Sequence, residues 1–334
     1  MKTRLVAVLA WLLLSLPVSA EWFSDEQSIM GTQIVVRLWH ADAEVAQAAI
    51  AAVMEEMHRI NRHFSPYLED SELSRLNREA VTASKQSPLS ISEELTWLLA
   101  QSLRYGELTD GAFDVTFGSV GRYYDYRKGE QPDKAAREAL LAAIDYRKIR
   151  LKAEAREVYF EHPKLYVDLG GIAKGYAVDR AIAVLRERGI EHASVGAGGD
   201  TRLLGDHRGR PWRVGIKNPR APDDVAIMLP LENEAISTSG DYERYFINEE
   251  GERIHHILNP RTGASARGVA SATVLGPNSI DTDALSTSVF VMGVESGLAL
   301  INGLAGFEAI VITAEGKVHY SEGLMAPQAG ESGP

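Results

Sequence analysis

Apolar residues recur along this chain at two spacings. From Thr32 to Trp39 the sequence TQIVVRLW alternates apolar and polar positions, which predicts a strand with one buried face. From Ala43 to Ile60, Val45, Ala49, Val53, Met57 and Ile60 fall at helical spacing and predict an amphipathic helix. Ser92 to Tyr105 predicts a second helix, opened by Ser92 and stopped at Gly106, and Asp133 to Ile144 a third. Ile172 to Arg188 is a fourth, with Gly189 placed to end it in a left-handed turn. Asp281 to Gly293 is a fifth, with Asp281 as its expected N-cap.

Between and after these helices the strand signal dominates. Lys148 to Lys152, Glu157 to Phe160, Leu165 to Leu169, His192 to Val195, Trp212 to Ile216 and Val225 to Leu229 all read as strands. So do Glu243 to Ile247, Arg253 to Leu258 and Ala270 to Leu275, followed by a hairpin of Glu308 to Thr313 and Lys317 to Tyr320. Runs of neighbouring strands favour antiparallel pairing, so the fold class is α+β, with mixed, largely antiparallel sheets and packed helices. No Pro/Ser/Gly linker, charge block or tandem repeat divides the chain. Residues 21–325 are therefore expected to form a single domain, with a flexible tail at 326–334.

The first twenty residues change the picture of where the protein works. MKTRLVAVLAWLLLSLPVSA has two basic residues, an apolar run and a small-residue end, the layout of a secretory signal peptide cleaved before Glu21. No later segment offers the roughly eighteen apolar residues that a membrane span needs. A soluble, periplasmic protein is expected. Removing Lys2 and Arg4 takes the formal charge from −11 to −13, because residues 1–20 carry no acidic side chain. Such a surface repels polyanions and argues against nucleic acid as a partner. The chain has no cysteine, which excludes disulfides, thiolate metal sites and lipid attachment through an N-terminal cysteine. Any metal must be held by oxygen or imidazole.

Three stretches carry candidate chemistry. In VDLGGIAKGYAVD, Val167 to Asp179, a strand signal meets a Gly-Gly turn and a helix start, with Lys174 in the first helical turn. Helix-start amides and a lysine suit an anion, although glycines also serve plain strand-helix packing. The stretch matches neither a Walker A loop nor GxGxxG. Asp168 either caps the turn or holds a polar ligand edge. In DTDALSTSVFVMG, Asp283 and Thr287 lie four apart on one helix face, offering a hard cation such as Mg²⁺ two oxygen ligands, or else ordinary helix-start bonding. In HHILNPRTG, the adjacent His255 and His256 point to opposite faces of a strand, so one at most faces a given site as a proton acceptor.

Taken together, the chain resembles the ApbE family, the FAD:protein FMN transferases. The likeness rests on MGT at Met30 to Thr32, FSPY at Phe64 to Tyr67 with DSELSRLN at Asp70 to Asn77, and GAFD at Gly111 to Asp114. It continues through DLGGIAKGYAVD at Asp168 to Asp179, STSGDYERYF at Ser237 to Phe246, HHILNPRTG at His255 to Gly263 and DALST at Asp283 to Thr287. The resemblance implies Mg²⁺-dependent transfer of the FMN part of FAD to a Ser or Thr hydroxyl of another exported protein, with release of AMP. It implies flavin contacts at Met30, Tyr67, Ala112, Phe113, Asp114, Asp168, Lys174 and Ile257. It places the metal on Asp283, Thr287 and the Gly171 carbonyl, and the base on His256. Two other readings of the same residues are an Mg²⁺-dependent FAD pyrophosphatase, giving FMN and AMP, and a non-catalytic FAD-binding protein.

This chain departs from the family in places. It lacks the cysteine that tethers many relatives to membranes, and VTFGSVGRYYDY at Val115 to Tyr126 replaces a segment that usually has proline and tryptophan. Asn259 stands where Asp is usual, and Ala264-Ser265 replaces a bulkier pair. None of these changes removes a residue that the resemblance assigns as ligand or base.

Overall fold

The computed structural model describes residues 21–325; the expected signal peptide and the tail from Ala326 lie outside the described residues. In chain order, the N-terminal part comprises β1 (Glu21–Ile29), β2 (Thr32–His40), α1 (Ala43–Phe64), α2 (Glu72–Glu79), β3 (Leu89–Ser90) and α3 (Glu93–Leu108). The middle comprises α4 (Gly118–Gly121), α5 (Lys134–Leu141), β4 (Ile149–Lys152), β5 (Glu157–Phe160), α6 (Ala173–Glu187), β6 (Ala193–Ala197) and β7 (Asp200–Leu204). Then come β8 (Trp212–Asn218), β9 (Ala221–Leu231), β10 (Ala235–Gly240), β11 (Tyr245–Ile247), β12 (Arg253–His255) and β13 (Val269–Gly276). The last elements are α7 (Ser279–Met292), α8 (Val294–Asn302), β14 (Glu308–Thr313) and β15 (Val318–Tyr320).

Eight strands form one sheet in the order β1-β2-β6-β7-β10-β13-β14-β15, antiparallel at every pairing. The expected α+β class with antiparallel sheets is what the chain adopts. Alternation along the strands splits the two faces. In β14, Ala309 and Val311 enter the main core beneath the helices, while Ile310 joins Leu203, Trp212, Ile216 and Ile236 under the β8–β9 hairpin on the other face. Helices α1, α6 and α7 pack side by side on the first face.

Helix α7 is buried almost all round, and most of its hydroxyls find partners there, Ser279 Oγ being the exception. Thr282, Ser286 and Ser288 donate to carbonyls three or four residues back, and Ser237 and Ser239 of β10 meet Thr282 and Ser286 at 2.8 and 2.9 Å. At Gly175 the α6 backbone comes so close to α7 that a Cβ would lie 2.2 Å from the Ser279 carbonyl oxygen and 2.7 Å from the Asp283 Cβ.

Four expectations are corrected. The strand expected over Arg253–Leu258 ends at His255. Leu165–Leu169 is no strand, since it has no sheet neighbour: the Asp168 N–H goes to the Val115 carbonyl, and the two amides before it go to side chains. Asn77 receives the Val167 N–H at 2.7 Å and donates to its carbonyl at 2.9 Å, while Ser119 takes the Tyr166 N–H. Gly106 does not stop α3, which runs on to Leu108; it is needed because a Cβ there would stand 2.8 Å from the Tyr146 ring. Asp281 is not the α7 N-cap. Asn278 holds that position, and the first amides of the helix, those of Ser279 and Ile280, donate to Asp179 of α6 instead. Asp281 accepts from the Tyr105 hydroxyl and Arg104. Strands β1, β3, β7 and β10 and helices α2, α4 and α8 have no counterpart among the elements expected from periodicity.

Because Asn77 is buried and replaces a whole strand partner for Val167, Asn77→Ala leaves a buried amide and a buried carbonyl unpaired. The expected loss is about 3 kcal/mol of unfolding free energy, read from urea denaturation. A loss below about 0.5 kcal/mol would show that water or a backbone shift replaces the side chain.

Candidate active site

The β6–β7 hairpin, the start of α6 and the first two turns of α7 meet at one cleft. Gly198 and Gly199 form the hairpin turn; Gly198 has φ +64°, and a Cβ on Gly199 would strike the Thr238 carbonyl at 2.4 Å. The glycines of GAGGD thus set Asp200 as the first residue of β7, facing the helices. Lys174 of α6 reaches back to Asp200 in a close ion pair and lies 3.6 Å from Asp283 Oδ1. Asp283 Oδ2 accepts the Gly175 amide at 2.9 Å. Burial alone disfavours the Lys174 ammonium, yet Asp200 and then Asp283 hold its pKa above the usual lysine range. Burial first, and the neighbouring Asp200 second, raise the Asp283 carboxyl.

This geometry answers what the glycine turn before α6 does. Four of its amides already have partners: Gly170 on Asp168 Oδ1 at 2.7 Å, Ile172 and Ala173 on the Leu169 carbonyl, and Gly175 on Asp283. The charge of Lys174 is spent on two carboxylates. Gly171 is where the turn comes closest to α7: a Cβ there would crowd the Phe113 ring at 3.2 Å and lie 3.5 Å from Thr287 Oγ1. Thr287 Oγ1 also lies 3.2 Å from Ser239 Oγ. Gly171, Asp283 and Thr287 are brought together, with oxygen as the donor atom throughout.

The two histidines have opposite fates: His255 closes β12, and His256 lies just past its end. His255 is buried against Phe290, and its Nε2 donates to the Ala266 carbonyl at 2.8 Å. His256 is half-buried, with Nδ1 enclosed and unpartnered among the described residues. Its ring stands edge-on to Tyr126, at 6.5 Å between centroids, and its backbone amide donates to the Arg244 carbonyl. Burial above all, then the charges of Arg244, His255 and Lys174, push the His256 imidazole down to about 3. It is neutral across the physiological range.

The expected flavin contacts are spread over the surrounding wall. Met30 and Gly31 form the two-residue β1–β2 turn with φ of 56° and 71°, and a methionine in the left-handed region is unusual enough to mark the position. Tyr67 is 83 % exposed and offers an uncovered aromatic face. Asp168 is half-buried; burial raises its pKa against the Gly170 amide and the charge of Arg244. Ile257 and Phe113 are core residues, and Ala112 is half-buried. Asp114 is held fully within the protein: Oδ1 accepts from Thr116 N and Oγ1, and Oδ2 from Tyr146 N. A cavity of about 460 Å³ lies elsewhere, beside α5 and the β11–β12 hairpin, lined by Lys134, Arg137, Arg253 and Ser265 among others, and none of the site residues borders it.

Two residues of this neighbourhood escaped sequence reasoning. Asp200 was hidden in a glycine cluster, and its signal is a lone acid opening a short apolar strand. Arg244 follows a turn, where a charged residue reads as solvated; no local signal marks it.

The sequence matches the ApbE family over residues 30–311. It is 35 % identical over 269 residues to a FAD:protein FMN transferase of Vibrio cholerae, covering 78 % of this chain and 77 % of that one. It is 30 % identical over 322 residues to one of Treponema pallidum, covering 91 % and 88 %. Among solved structures, the ApbE protein of Thermotoga maritima superposes with a TM-score of 0.81 at 33 % identity, over 91 % of this chain and 98 % of that one. The flavin transferase ApbE of Vibrio cholerae superposes with a TM-score of 0.78 at 30 % identity, over the same shares. Matches of this extent, on a cleft built from the same motifs, establish that the chain belongs to the ApbE family.

Proposed function

We propose that the chain transfers the FMN part of FAD to a serine or threonine hydroxyl of an exported acceptor protein in the periplasm, releasing AMP, with Mg²⁺ in the cleft. The observation that carries this reading is the meeting of Gly171, Asp283 and Thr287 at one point, in a family with members named FAD:protein FMN transferase.

The cleft suits a hard cation. Asp283, the Thr287 hydroxyl and the Gly171 carbonyl would hold it, and Mg²⁺ prefers such oxygen donors while keeping water and substrate phosphates as further ligands. Lys174, Asp200 and Asp283 carry +1 and −2 when ionised, a buried balance of −1 that attracts a cation. Among the described residues no group of three or more His, Cys, Asp or Glu side chains surrounds a point, so phosphate and water would complete the set. When bound, the ion would neutralise charge on the phosphoryl oxygens.

The chain's own residues do the rest. Met30, Tyr67, Asp168 and Ile257 would orient the flavin. His256 takes the proton of the acceptor hydroxyl as its oxygen bonds to the FMN phosphorus; the bond from phosphorus to the bridging oxygen breaks, and AMP leaves with that oxygen. An imidazole with a pKa of about 3 is a weak base. A bound diphosphate would cancel the positive charges of Arg244 and Lys174 that depress it, so the base gains strength when substrate arrives.

Incubation of the mature protein with FAD, Mg²⁺ and a candidate acceptor is expected to give AMP and an acceptor that fluoresces in a denaturing gel. AMP without any labelled acceptor would favour the pyrophosphatase reading, and bound FAD without AMP a simple binding protein. Asp283→Ala is expected to abolish transfer; a wild-type rate at limiting Mg²⁺ would sink the metal assignment. His256→Ala is expected to retain FAD binding while kcat falls by about 10²- to 10⁴-fold.

The protonation state of His256 is checked separately by NMR, with His256→Gln assigning its ring resonance. In the ligand-free protein the ring is expected not to titrate between pH 5 and 8, and to show a higher midpoint with ADP bound. Since the unfolded chain takes this proton near 6.5 and the folded one only near 3, the group's contribution to stability is whole above pH 6.5 and declines on acidification through that window. A free-state midpoint near 6.5 would refute the burial argument.

A further inference from the structure

Arg244 stands where three parts of the site meet. Its Nη2 donates to the Gly31 carbonyl at 3.0 Å, beside Met30 in the β1–β2 turn. Its own carbonyl accepts the His256 amide at 3.1 Å. The side chain is exposed and forms no ion pair among the described residues. Other cations nearby are engaged: Lys174 by Asp200 and Asp283, Arg220 and Arg253 by Asp241. One of the five guanidinium N–H donors serves Gly31, which leaves the others for a ligand. Its contacts to Gly31 and, through the backbone, to His256 tie Arg244 to both the β1–β2 turn and the histidine.

The remaining question is which anion it takes. A flavin nucleotide brings a phosphate, and most of the usual receivers at this turn are already occupied, namely the amides of Gly170, Ile172, Ala173 and Gly175 and the ammonium of Lys174. A planar guanidinium matches two phosphate oxygens at once. We propose that Arg244 is a substrate-binding residue that takes phosphate charge of the flavin nucleotide, while its bond to Gly31 holds the fork in place. This rests on the reading that the site takes FAD. It extends the set of residues implied by family resemblance, which does not include Arg244.

The test titrates wild type, Arg244→Gln and Arg244→Lys with FAD, FMN and riboflavin by flavin fluorescence quenching, and with AMP by competition. Glutamine is two bonds shorter than arginine, so Arg244→Gln loses the Gly31 contact as well as the charge, and the riboflavin titration reports any loss that comes from the turn alone. Arg244→Gln is expected to weaken FAD binding about tenfold or more, a change of about 1.4 kcal/mol, and to leave riboflavin within about twofold. Arg244→Lys, with charge but no fork, is expected to lose FAD affinity by a smaller factor and again to spare riboflavin. FMN weakening as much as FAD places the contact on the flavin-side phosphate; weakened AMP competition places it on the adenylate side. Equal loss for FAD and riboflavin, no loss in either variant, or a change confined to the acceptor's KM overturns the proposal. Failure of the wild type to bind FAD sinks the proposed function itself, an outcome visible before any variant is measured.

Discussion

Everything at the cleft depends on how closely α6 and α7 approach at Gly175. No side chain fits there, because even a Cβ would overlap the Ser279 carbonyl. The approach lets each helix satisfy the other's start: Asp283 of α7 accepts the Gly175 amide, and Asp179 of α6 accepts the amides of Ser279 and Ile280. Neither helix caps itself with a side chain at its N-cap position. Exchange of carboxylates fixes the register of the pair, and that register places Thr287 against Gly171 and Asp283 against Lys174. A shift of one turn would leave buried carboxylates without donors, which is far more costly than the exposed ion pairs elsewhere on the surface.

The same exchange explains the charge pattern. Two carboxylates and one ammonium are buried together, and burial raises both Asp179 and Asp283 despite their amide partners. The protein tolerates this because each charged group has a defined partner, and because the excess negative charge stands beside a cleft rather than in sealed core. Across the site, Arg244 is unmatched in the opposite sense. A ligand carrying both cation and anion would settle both imbalances at once, which a purely anionic or purely apolar ligand would not.

Much of this was legible in the sequence where the interaction is local. Periodicity found α1 and α6 closely, and the four-residue spacing of Asp283 and Thr287 survived as a shared helix face. What failed was long-range. Leu165–Leu169 alternates like a strand, yet its partner is the amide of Asn77, 90 residues away. Asp281 is a good N-cap by residue type, but an aspartate on another helix takes the amides first. Gly106 resembles a helix stop and instead makes room for Tyr146. Propensity names what a residue can do alone; in each case a tertiary partner offered a better bond. Motif resemblance reached the site because motifs carry such partners implicitly, but it left out Asp200 and Arg244, whose roles depend on what Lys174 is already bonded to.

The adjacent histidines are separated by the end of a strand. His255, the last residue of β12, turns inward, where the Ala266 carbonyl fixes its proton on Nε2 and the Phe290 ring packs against it. His256, just past the strand end, stands edge-on to Tyr126 with its backbone tied to Arg244. That tie brings the charge of Arg244 to the imidazole, where it adds to burial, the larger cause, in keeping the ring neutral. One arginine thus links the β1–β2 turn, through Gly31, to the residue that follows β12.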